Sequence, residues 1–189
     1  GGTAGVLNTA KFSNITVVPL NKAPVITAAV VGDVSPVSFD GTVTDDNFPL
    51  PVSLTSQWSQ IGGPDTIVFG NVSAADTTGA FTASGSYAVR LQASDSGVVS
   101  FRDLSFTAYS QPFAKWLDQN NVGNEANLLS EGNLDADGDG LVNLLEYAEG
   151  TNGTVRNSSP EVVELTSVST EKYLRLSMPR NPAATDVVM

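Results

Sequence analysis

The sequence predicts a mainly β protein in which an antiparallel β-sandwich is followed by a short helical segment and the start of a further β-module. Between residues 22 and 110, short runs rich in Val, Ile, Thr, Phe and Tyr recur about every 8–12 residues, separated by Gly, Pro, Asn and Asp. From residue 111 the apolar residues follow helical spacing, and near residue 162 they return to alternation.

Residues 1–110 divide into a terminal strand and the sandwich. Residues 1–21, with the alternating run K-F-S-N-I-T-V-V-P-L, are predicted to be the last strand of a preceding β-domain or a free strand. Residues 22–110 are predicted to hold seven strands with Trp58 buried in their core. The predicted strands are Val25–Val31, Val37–Val43, Leu54–Ile61, Thr66–Phe69, Thr77–Thr82, Gly85–Ala93 and Val98–Ala108.

Residues 111–155 are predicted to be helical. Pro112 suits the first turn of a helix that ends at Asn120–Gly123 and has an apolar face made of Phe113, Trp116 and Leu117. A second short turn is predicted at Ala126–Ser130. Gly150 is the predicted C-terminal cap of a last helix, whose apolar face is Leu141, Leu144, Leu145 and Ala148.

Residues 156–189 are predicted to be an incomplete C-terminal β-module. Strands are expected at Val162–Val168 and Tyr173–Met178, with a turn at Ser169–Lys172, and Val187–Met189 has the pattern of the start of another strand. Two strands alone are rarely stable, so the module is predicted to be incomplete as it stands.

Composition restricts the function classes. The 20 acidic residues outnumber the 9 basic ones, for a net charge of −11, so the chain is expected to repel nucleic acid and anionic membranes. Cys and His are absent, which excludes disulfides, a Ser-His-Asp triad and most transition-metal sites. No apolar run of about 18 residues occurs, so no membrane insertion is predicted. Hard, oxygen-coordinated ions such as Ca²⁺ remain.

The run D-A-D-G-D-G-L-V-N-L-L-E, Asp135–Glu146, fits the twelve-residue calcium loop D-x-[DN]-x-[DN]-G-x₅-E at every position. Such a loop has Gly at position 6, here Gly140, and ligands at positions 1, 3, 5, 7, 9 and 12. The predicted Ca²⁺ ligands are therefore Asp135, Asp137, Asp139, Leu141 through its carbonyl, Asn143 and Glu146.

Two other interpretations of this run are a solvated acidic turn and a catalytic acid. Three clustered carboxylates without a cation would repel one another by about 1 kcal/mol per close pair in water. General-acid chemistry needs an acid with a raised pKa in a cleft. Sensor loops of this type usually work in pairs, whereas one is present here, so a structural ion site is predicted.

Four segments resemble a PKD-like β-sandwich, an immunoglobulin-type domain common in large bacterial extracellular proteins. They are G-T-V-T-D-D-N-F-P (Gly41–Pro49), L-T-S-Q-W-S-Q-I-G-G-P (Leu54–Pro64), D-T-T-G-A-F-T-A-S-G-S-Y (Asp76–Tyr87) and V-R-L-Q-A-S-D-S-G (Val89–Gly97). Asp95-Ser96-Gly97 departs from the pattern, because such domains often have two acids before the Gly. The resemblance implies a modular, noncatalytic, extracellular protein.

Two further segments carry resemblances. Phe113–Asn120 and Leu134–Asn152 resemble the single EF-hand-like calcium-binding segment of dockerin-like and thrombospondin type 3-like repeats, found near the C-termini of bacterial secreted and surface proteins. The terminal strand resembles the end of a lectin-like or carbohydrate-binding jelly roll.

A second cation site is predicted from the sandwich topology. In this fold the loop between the second and third strands and the loop between the sixth and seventh strands lie at the same end. Asp45 and Asp46 are in the first of these loops, and Asp95 is in the second. The alternative is that all three are ordinary turn residues.

The leading hypothesis is a noncatalytic structural and adhesive segment of a secreted or cell-surface protein, in which Ca²⁺ stiffens the link between β-modules. Residues 6–18 or 172–178 could add a strand to another copy and build a filament or surface layer. The alternative is a carbohydrate-binding accessory region of a polysaccharide-degrading enzyme, which needs a row of exposed aromatic rings. An enzyme acting through two carboxylates is a third hypothesis, although no insertion that would form a cleft is visible.

Overall fold

The structure is a computed structural model that describes residue 13 and residues 20–51, 53–95, 97–158, 162–169 and 171–188. Within these residues the protein is mainly β, with antiparallel sheets and three short α-helices. The predicted strand in residues 1–21 falls almost entirely outside the described residues. No described helix is long and apolar enough to cross a membrane.

Seven strands form the N-terminal part: β1 Val25–Val31, β2 Val37–Thr44, β3 Thr55–Gly62, β4 Val68–Phe69, β5 Thr77–Ala80, β6 Gly85–Ser94 and β7 Val99–Ala108. One sheet has the strand order β1-β2-β5-β4 and the other has the order β3-β6-β7. This is the strand order of a constant-type immunoglobulin sandwich. All seven predicted strands are confirmed, with ends that differ by no more than two residues.

Both sheets contribute to one apolar core. Alternate residues of β6 are buried, as the sequence pattern predicts, and they meet Val37 and Phe39 of β2. Trp58 of β3 is 1% exposed, its ring centroid lies 5.0 Å from that of Phe39, and its indole N–H donates to the Ala75 carbonyl at 2.9 Å. The predicted burial of Trp58 is therefore confirmed. Burying a large apolar side chain contributes about 1.5–3 kcal/mol, so this cluster holds the two sheets together.

Tyr87 fixes the turn that precedes β6. Its ring is buried and its hydroxyl donates to the carbonyl of Ala83, a contact that recurs at the start of the sixth strand in immunoglobulin sandwiches. Burial, and then the nearby charges of Asp65 and Glu125, raise the pKa of Tyr87 to about 12. The Tyr87 hydroxyl therefore stays protonated and keeps Ser84, next to Ala83, in place.

The helical segment consists of α1 Pro112–Asn120, a 3₁₀ turn at Glu125–Asn127, α2 Leu128–Gly132 and α3 Asn143–Glu149. Pro112 begins α1 as predicted, and Gly150, with φ of 81°, ends α3 as predicted. The last helix starts at Asn143 rather than at Leu141, because Val142 is still extended with φ of −82° and ψ of 152°. Leu141 and Val142 thus remain part of the loop.

A second, smaller core lies between α1 and α3. Phe113 packs on Tyr147 with ring centroids 5.1 Å apart, and Trp116 packs on Tyr147 at 5.9 Å. Leu117 is fully buried in the same cluster. The predicted apolar face of α1 is therefore confirmed.

Two further strands, β8 Val162–Val168 and β9 Glu171–Ser177, form an antiparallel hairpin. The predicted turn at Ser169–Lys172 is shorter than expected, because Glu171 and Lys172 already pair with β8. One face of the hairpin is aliphatic and exposed, and consists of Val163, Leu165, Leu174 and Leu176. The opposite face carries an ion pair between Glu164 and Arg175 at 3.1 Å.

The residues after β9 contact the helices. Val187 and Val188 are not in a strand, so the prediction of a strand start is wrong for these two residues, and Met189 lies outside the described residues. The amide of Asn181 donates to the Ala148 carbonyl at 2.8 Å, and Asp186 accepts a hydrogen bond from the Phe113 amide at 3.0 Å. These long-range contacts outweigh the local strand pattern.

Candidate metal centre

Asp135–Glu146, called the ion loop below, brings the carboxylates of Asp135, Asp137 and Asp139 together. Their oxygen atoms lie within 4.8 Å of one another. Within the described part of the chain, no other group of three acids meets this condition. The structure thus places three of the six predicted ligands side by side.

Asp135 shapes the first half of the ion loop. Its carboxylate accepts hydrogen bonds from the backbone amides of Gly138 at 2.8 Å, Asp139 at 3.1 Å and Gly140 at 2.9 Å. These bonds, the one from Gly140 first, lower the pKa of Asp135 although its desolvation acts in the opposite direction. Gly140 has φ of 98°, which glycine adopts without strain. The turn thus needs glycine at position 6.

Asp137 and Asp139 continue the turn in the same way. The Asp139 amide donates to Asp137 Oδ1 at 3.1 Å, and the Leu141 amide donates to Asp139 Oδ1 at 2.8 Å. The second oxygen of Asp137 is buried and has no hydrogen-bond partner among the described residues. The backbone amides therefore leave acceptor capacity on the acid cluster unused.

Two ligands predicted on α3 are fully buried. The side-chain amide N–H of Asn143 donates to the Glu131 carbonyl at 2.9 Å, and this leaves Asn143 Oδ1 unpaired with any described residue. Neither carboxylate oxygen of Glu146 has a hydrogen bond of normal geometry within the described residues. Burial, and then the charges of Asp137, Asp139 and Asp135, raise the pKa of Glu146 to about 7, against which the side chain of Asn157 acts weakly.

These oxygens match what a hard cation requires. Leaving a buried polar group unpaired costs about 1–3 kcal/mol, and the ion loop contains such oxygens on Asp137, Asn143 and Glu146. Calcium takes six to eight oxygen ligands from carboxylates, amides and carbonyls in a flexible geometry. The residues available here, four carboxylates, one amide oxygen and the Leu141 carbonyl, supply that chemistry.

The segment Thr151–Asn157, called the strap below, closes over the ion loop and was not predicted. The Asn157 amide donates to Asp139 Oδ2 at 2.6 Å, and Arg156 Nε donates to the Asp137 carbonyl at 2.8 Å. A Cβ at Gly153 would lie 2.7 Å from the Trp116 ring and 3.4 Å from Glu146 Oε2. The twelve-residue motif ends at Glu146, so no sequence signal pointed to these residues.

The second predicted site lies at one end of the sandwich, where Asp95 and Asp46 accept hydrogen bonds from backbone amides. Asp95 is 1% exposed, and its Oδ1 accepts the amides of Gly97 at 2.8 Å and Val98 at 2.6 Å. The bond from Val98 is the largest contribution lowering the pKa of Asp95. Both oxygens of Asp46 accept backbone amides, from Lys22 at 3.2 Å and from Phe48 at 3.1 Å.

Asn21 adds a residue to this end of the sandwich that sequence reasoning did not identify. A Cβ at Gly97 would lie 2.6 Å from Asn21 Nδ2, and the Asn21 side chain helps to lower the pKa of Asp95. One buried oxygen each of Asn21, Asp45 and Asp95 has no hydrogen-bond partner in the described ranges. Asn21 precedes the first strand, so only the folded chain shows that it belongs here.

Among the described residues, polar contacts of Glu125, Lys115 and Tyr109 join the sandwich to the helical segment, and they are called the sandwich junction below. Glu125 accepts hydrogen bonds from Ser84, through both its amide and its hydroxyl, and from the Ser110 hydroxyl at 2.7 Å. The other two contacts are an ion pair of Lys115 with Asp33 at 2.7 Å and a hydrogen bond from the Tyr109 hydroxyl to Asp118 at 2.7 Å.

No protein-family profile matches the sequence. A solved structure similar to part of the chain is the crystal structure of the PKD1 domain of Vibrio anguillarum Epp. It is 22% identical, and the alignment covers 48% of this chain and 98% of that domain, with a TM-score of 0.36. At this TM-score the likeness carries no inference about function.

Proposed function

We propose that this chain is a noncatalytic structural and adhesive segment of a large secreted or cell-surface protein, in which Ca²⁺ bound by the ion loop makes the link to the next β-module rigid. The observation that carries the proposal is Glu146, a fully buried carboxylate that has no hydrogen bond of normal geometry within the described residues and that feels the charges of three further acids. A bound divalent cation would neutralise this charge and complete the coordination of the unpaired oxygens.

The proposed role of the ion is to stabilise structure. Binding to the folded chain alone adds RT ln(1 + [Ca²⁺]/Kd) to stability, about 2.7 kcal/mol when the ion is present at one hundred times its Kd. The ion loop packs against α2 through Asn143 and against the strap through Asp139, so this energy would order segments on both sides of the loop.

Isothermal titration with Ca²⁺ tests the ion claim, with Mg²⁺ as the comparison. Mg²⁺ demands near-octahedral geometry and loses its water reluctantly, so we expect clear heat from Ca²⁺ and little from Mg²⁺. Absence of Ca²⁺ binding at millimolar concentration would contradict the proposal.

Terbium luminescence tests where in the chain the ion binds. Tb³⁺ takes oxygen ligands as Ca²⁺ does, and Trp116 lies beside Glu146 across Gly153, where it can transfer excitation energy to the ion. We expect Tb³⁺ emission on excitation of Trp, its loss on adding Ca²⁺, and a strong decrease in Trp116→Phe. Equal emission from Trp116→Phe would place the ion elsewhere.

A second ion at the sandwich end is a separate proposal. The unpaired oxygens of Asn21, Asp45 and Asp95 support it. Asp46 would contribute less to ion binding, because both of its oxygens already accept backbone amides. The titration stoichiometry decides: two ions per chain, reduced to one in Asp95→Asn, would support a second site. One ion per chain with an unchanged affinity in Asp95→Asn would restrict binding to the ion loop.

For adhesion, we propose that the aliphatic face of the β8–β9 hairpin packs against a neighbouring β-module of the same or another chain. Val163, Leu165, Leu174 and Leu176 are between 57% and 75% exposed, and an isolated hairpin is at best marginally stable. Addition of β9 to another copy would give the predicted filament. Light scattering with the native chain and Leu174→Lys, followed by electron microscopy, tests this: a monomer at all concentrations would contradict polymerisation.

The carbohydrate-binding alternative has less support. Within the described residues, the strongly exposed aromatic rings include Phe101 at 60% and Tyr173 at 51%, and these lie on β7 and β9 rather than in one row. The guanidinium of Arg90 also covers the Phe101 ring at 4.0 Å. Glycan binding therefore stays a prediction from the sequence.

A further inference from the structure

We propose that the strap, Thr151–Asn157, is an ion-dependent closure, and that it opens without the ion to expose the Arg156–Asn157 bond to proteases that cleave after arginine. This inference rests on the proposed Ca²⁺ site in the ion loop. It adds a site of modification, one peptide bond, and the class of enzyme that would act on it.

The strap is attached to atoms of the ion loop itself. The Asn157 amide is bound by Asp139 Oδ2 at 2.6 Å, and the Arg156 side chain is bound by the Asp137 carbonyl at 2.8 Å. Both flanks of the Arg156–Asn157 bond are therefore held by residues that the proposed ion would bring together. A protease must take this segment in extended form, which requires both contacts to break.

The middle of the strap is tightly packed. Gly153 is buried, and a Cβ there would lie 2.7 Å from the Trp116 ring and 3.3 Å from the Val122 side chain. Trp116 in turn packs on Tyr147, the neighbour of Glu146 in α3. The closed strap thus depends on a small residue at 153 and on the position of α3.

Charge makes the closure depend on the ion. The acids of the ion loop repel one another when no cation lies between them, and they separate if the loop opens. Arg156 attracts Asp135, but Arg156 is exposed, and an exposed pair of this kind is weakened by solvent. Without the ion, repulsion among the acids acts against the closed loop, and we expect the strap contacts at Asp137 and Asp139 to open more often.

The chain provides a matched internal control in a second Arg–Asn bond, Arg180–Asn181. Both arginines are exposed. The Asn181 amide is bound by the Ala148 carbonyl at 2.8 Å and its side chain by the Tyr147 carbonyl at 2.9 Å, rather than by an ion-loop carboxylate. The same dipeptide thus occurs once bound to the ion loop and once bound to α3 carbonyls that are not proposed ligands.

Limited trypsin digestion of the whole chain, with Ca²⁺ or with a chelator, tests the proposal. Hydrolysis adds one water across the bond, leaving a carboxylate on Arg156 and an amine on Asn157, and mass spectrometry gives the rate at each bond. Because cleavage follows the population of the open form, we expect the chelator to speed cleavage at Arg156–Asn157 by about tenfold or more. The rate at Arg180–Asn181 should change by less than about twofold, and normalising to it removes any effect of Ca²⁺ on trypsin.

Gly153→Ala separates the strap from the ion site, because it changes no proposed ligand. We expect this variant to be cleaved at Arg156–Asn157 several-fold faster than the native chain in Ca²⁺, while titration still detects the ion. If the native chain binds Ca²⁺ but the chelator does not change its cleavage rate at Arg156–Asn157, the ion-dependent closure of the strap is overturned and the proposed function stands. Absence of Ca²⁺ binding would overturn both.

Discussion

The sandwich junction and the strap differ in whether their polar groups have hydrogen-bond or ion-pair partners. At the sandwich junction, Glu125 accepts hydrogen bonds from two serines, and Lys115 pairs with Asp33. At the strap, the acids of the ion loop converge, and buried oxygens of Asp137 and Glu146 have no hydrogen bond of normal geometry in the described part of the chain. The polar groups of the sandwich junction pair with one another, whereas we propose that those beside the strap pair with an ion.

This difference indicates where Ca²⁺ would act. Removing the ion should loosen the ion loop, the strap and the approach to β8, and should leave the sandwich and its junction with the helices unchanged. The helical segment would then serve as a rigid extension of the sandwich, with its ion-dependent joint on the C-terminal side.

The largest expected effect is that of Glu146→Gln, which removes the proposed position-12 ligand and a buried charge. We expect a loss of Ca²⁺ affinity of at least about 100-fold, since outer-shell changes alone cost 10–100-fold. Saturating Ca²⁺ should raise the native Tm by about 5–10 °C and that of Glu146→Gln by little.

The matched control for this change is Glu164→Gln, the same substitution at an exposed acid of the hairpin. It should keep the full response of the Tm to Ca²⁺. An equal response in both variants would contradict the assignment of Glu146 as a ligand.

The next effect concerns the sandwich junction. Glu125→Gln removes a carboxylate held by Ser84 and Ser110, whose hydrogen bonds outweigh its desolvation and lower its pKa. We expect a loss of about 1–3 kcal/mol in the free energy of unfolding, because bonds to a charged acceptor are lost. Denaturant titration measures this, and the loss should be equal with and without Ca²⁺. A loss seen only in one of the two conditions would mean that the two junctions are coupled.

A third prediction concerns how stability depends on pH, with opposite signs for Glu146 in the ion loop and Glu125 in the sandwich junction. The pKa of Glu146 is raised from its usual value of 4.5 to about 7, so the ion-free folded chain binds more protons than the unfolded chain in this range. This group's contribution to stability therefore falls as pH rises from 4.5 to 7, and Ca²⁺ must displace its proton. Ca²⁺ affinity should rise up to about tenfold per pH unit below pH 7 and level off above it.

At the sandwich junction the sign is reversed. The lowered pKa of Glu125 gives a contribution that is present above pH 4.5 and is lost as pH falls through the folded-state value. Titrations of Ca²⁺ between pH 5 and 8, and unfolding curves between pH 3 and 6, check the two signs. A Ca²⁺ affinity that does not change between pH 5 and 7 would contradict the role of Glu146.

The smallest expected effect is at the ion pair of Lys115 and Asp33, whose side chains are 29% and 49% exposed. Lys115→Met should change the free energy of unfolding by no more than about 1 kcal/mol, because an exposed pair is screened by water. Added salt should reduce the difference between the two chains. A larger loss would show that this pair, and not Glu125, is the main contact of the junction.

The sequence predicted the strands of the sandwich well, because Val, Ile and aromatic residues alternate with polar ones and turn residues separate the runs. It also predicted that Asp135, Asp137 and Asp139 converge, because a twelve-residue pattern with glycine at a fixed position is a local signal, and the bound ion stays a prediction. Two of its errors concern the ends of elements: the helix that begins at Asn143, and the hairpin turn shortened by pairing of Glu171 and Lys172. A third is the strand start predicted at Val187 and Val188, which are not in a strand.

Residues that reach the candidate sites from far along the chain were missed. Asn21 approaches Gly97 across the sandwich end, and Arg156 and Asn157 return to the ion loop after the helix. Asp186 binds the amide of Phe113, although its neighbours Val187 and Val188 have the pattern of a strand. Such contacts depend on tertiary packing, and neither spacing nor propensity records them.

Hydrogen exchange of the native chain, with Ca²⁺ and with a chelator, shows whether the ion orders the ion loop and the strap alone. We expect strong protection by Ca²⁺ in peptides covering the ion loop and the strap. We expect no change in peptides covering β6 and β7 or the serines that bind Glu125. Equal exchange in the ion loop under both conditions, or protection spread evenly over the chain, would contradict the proposed role of the ion.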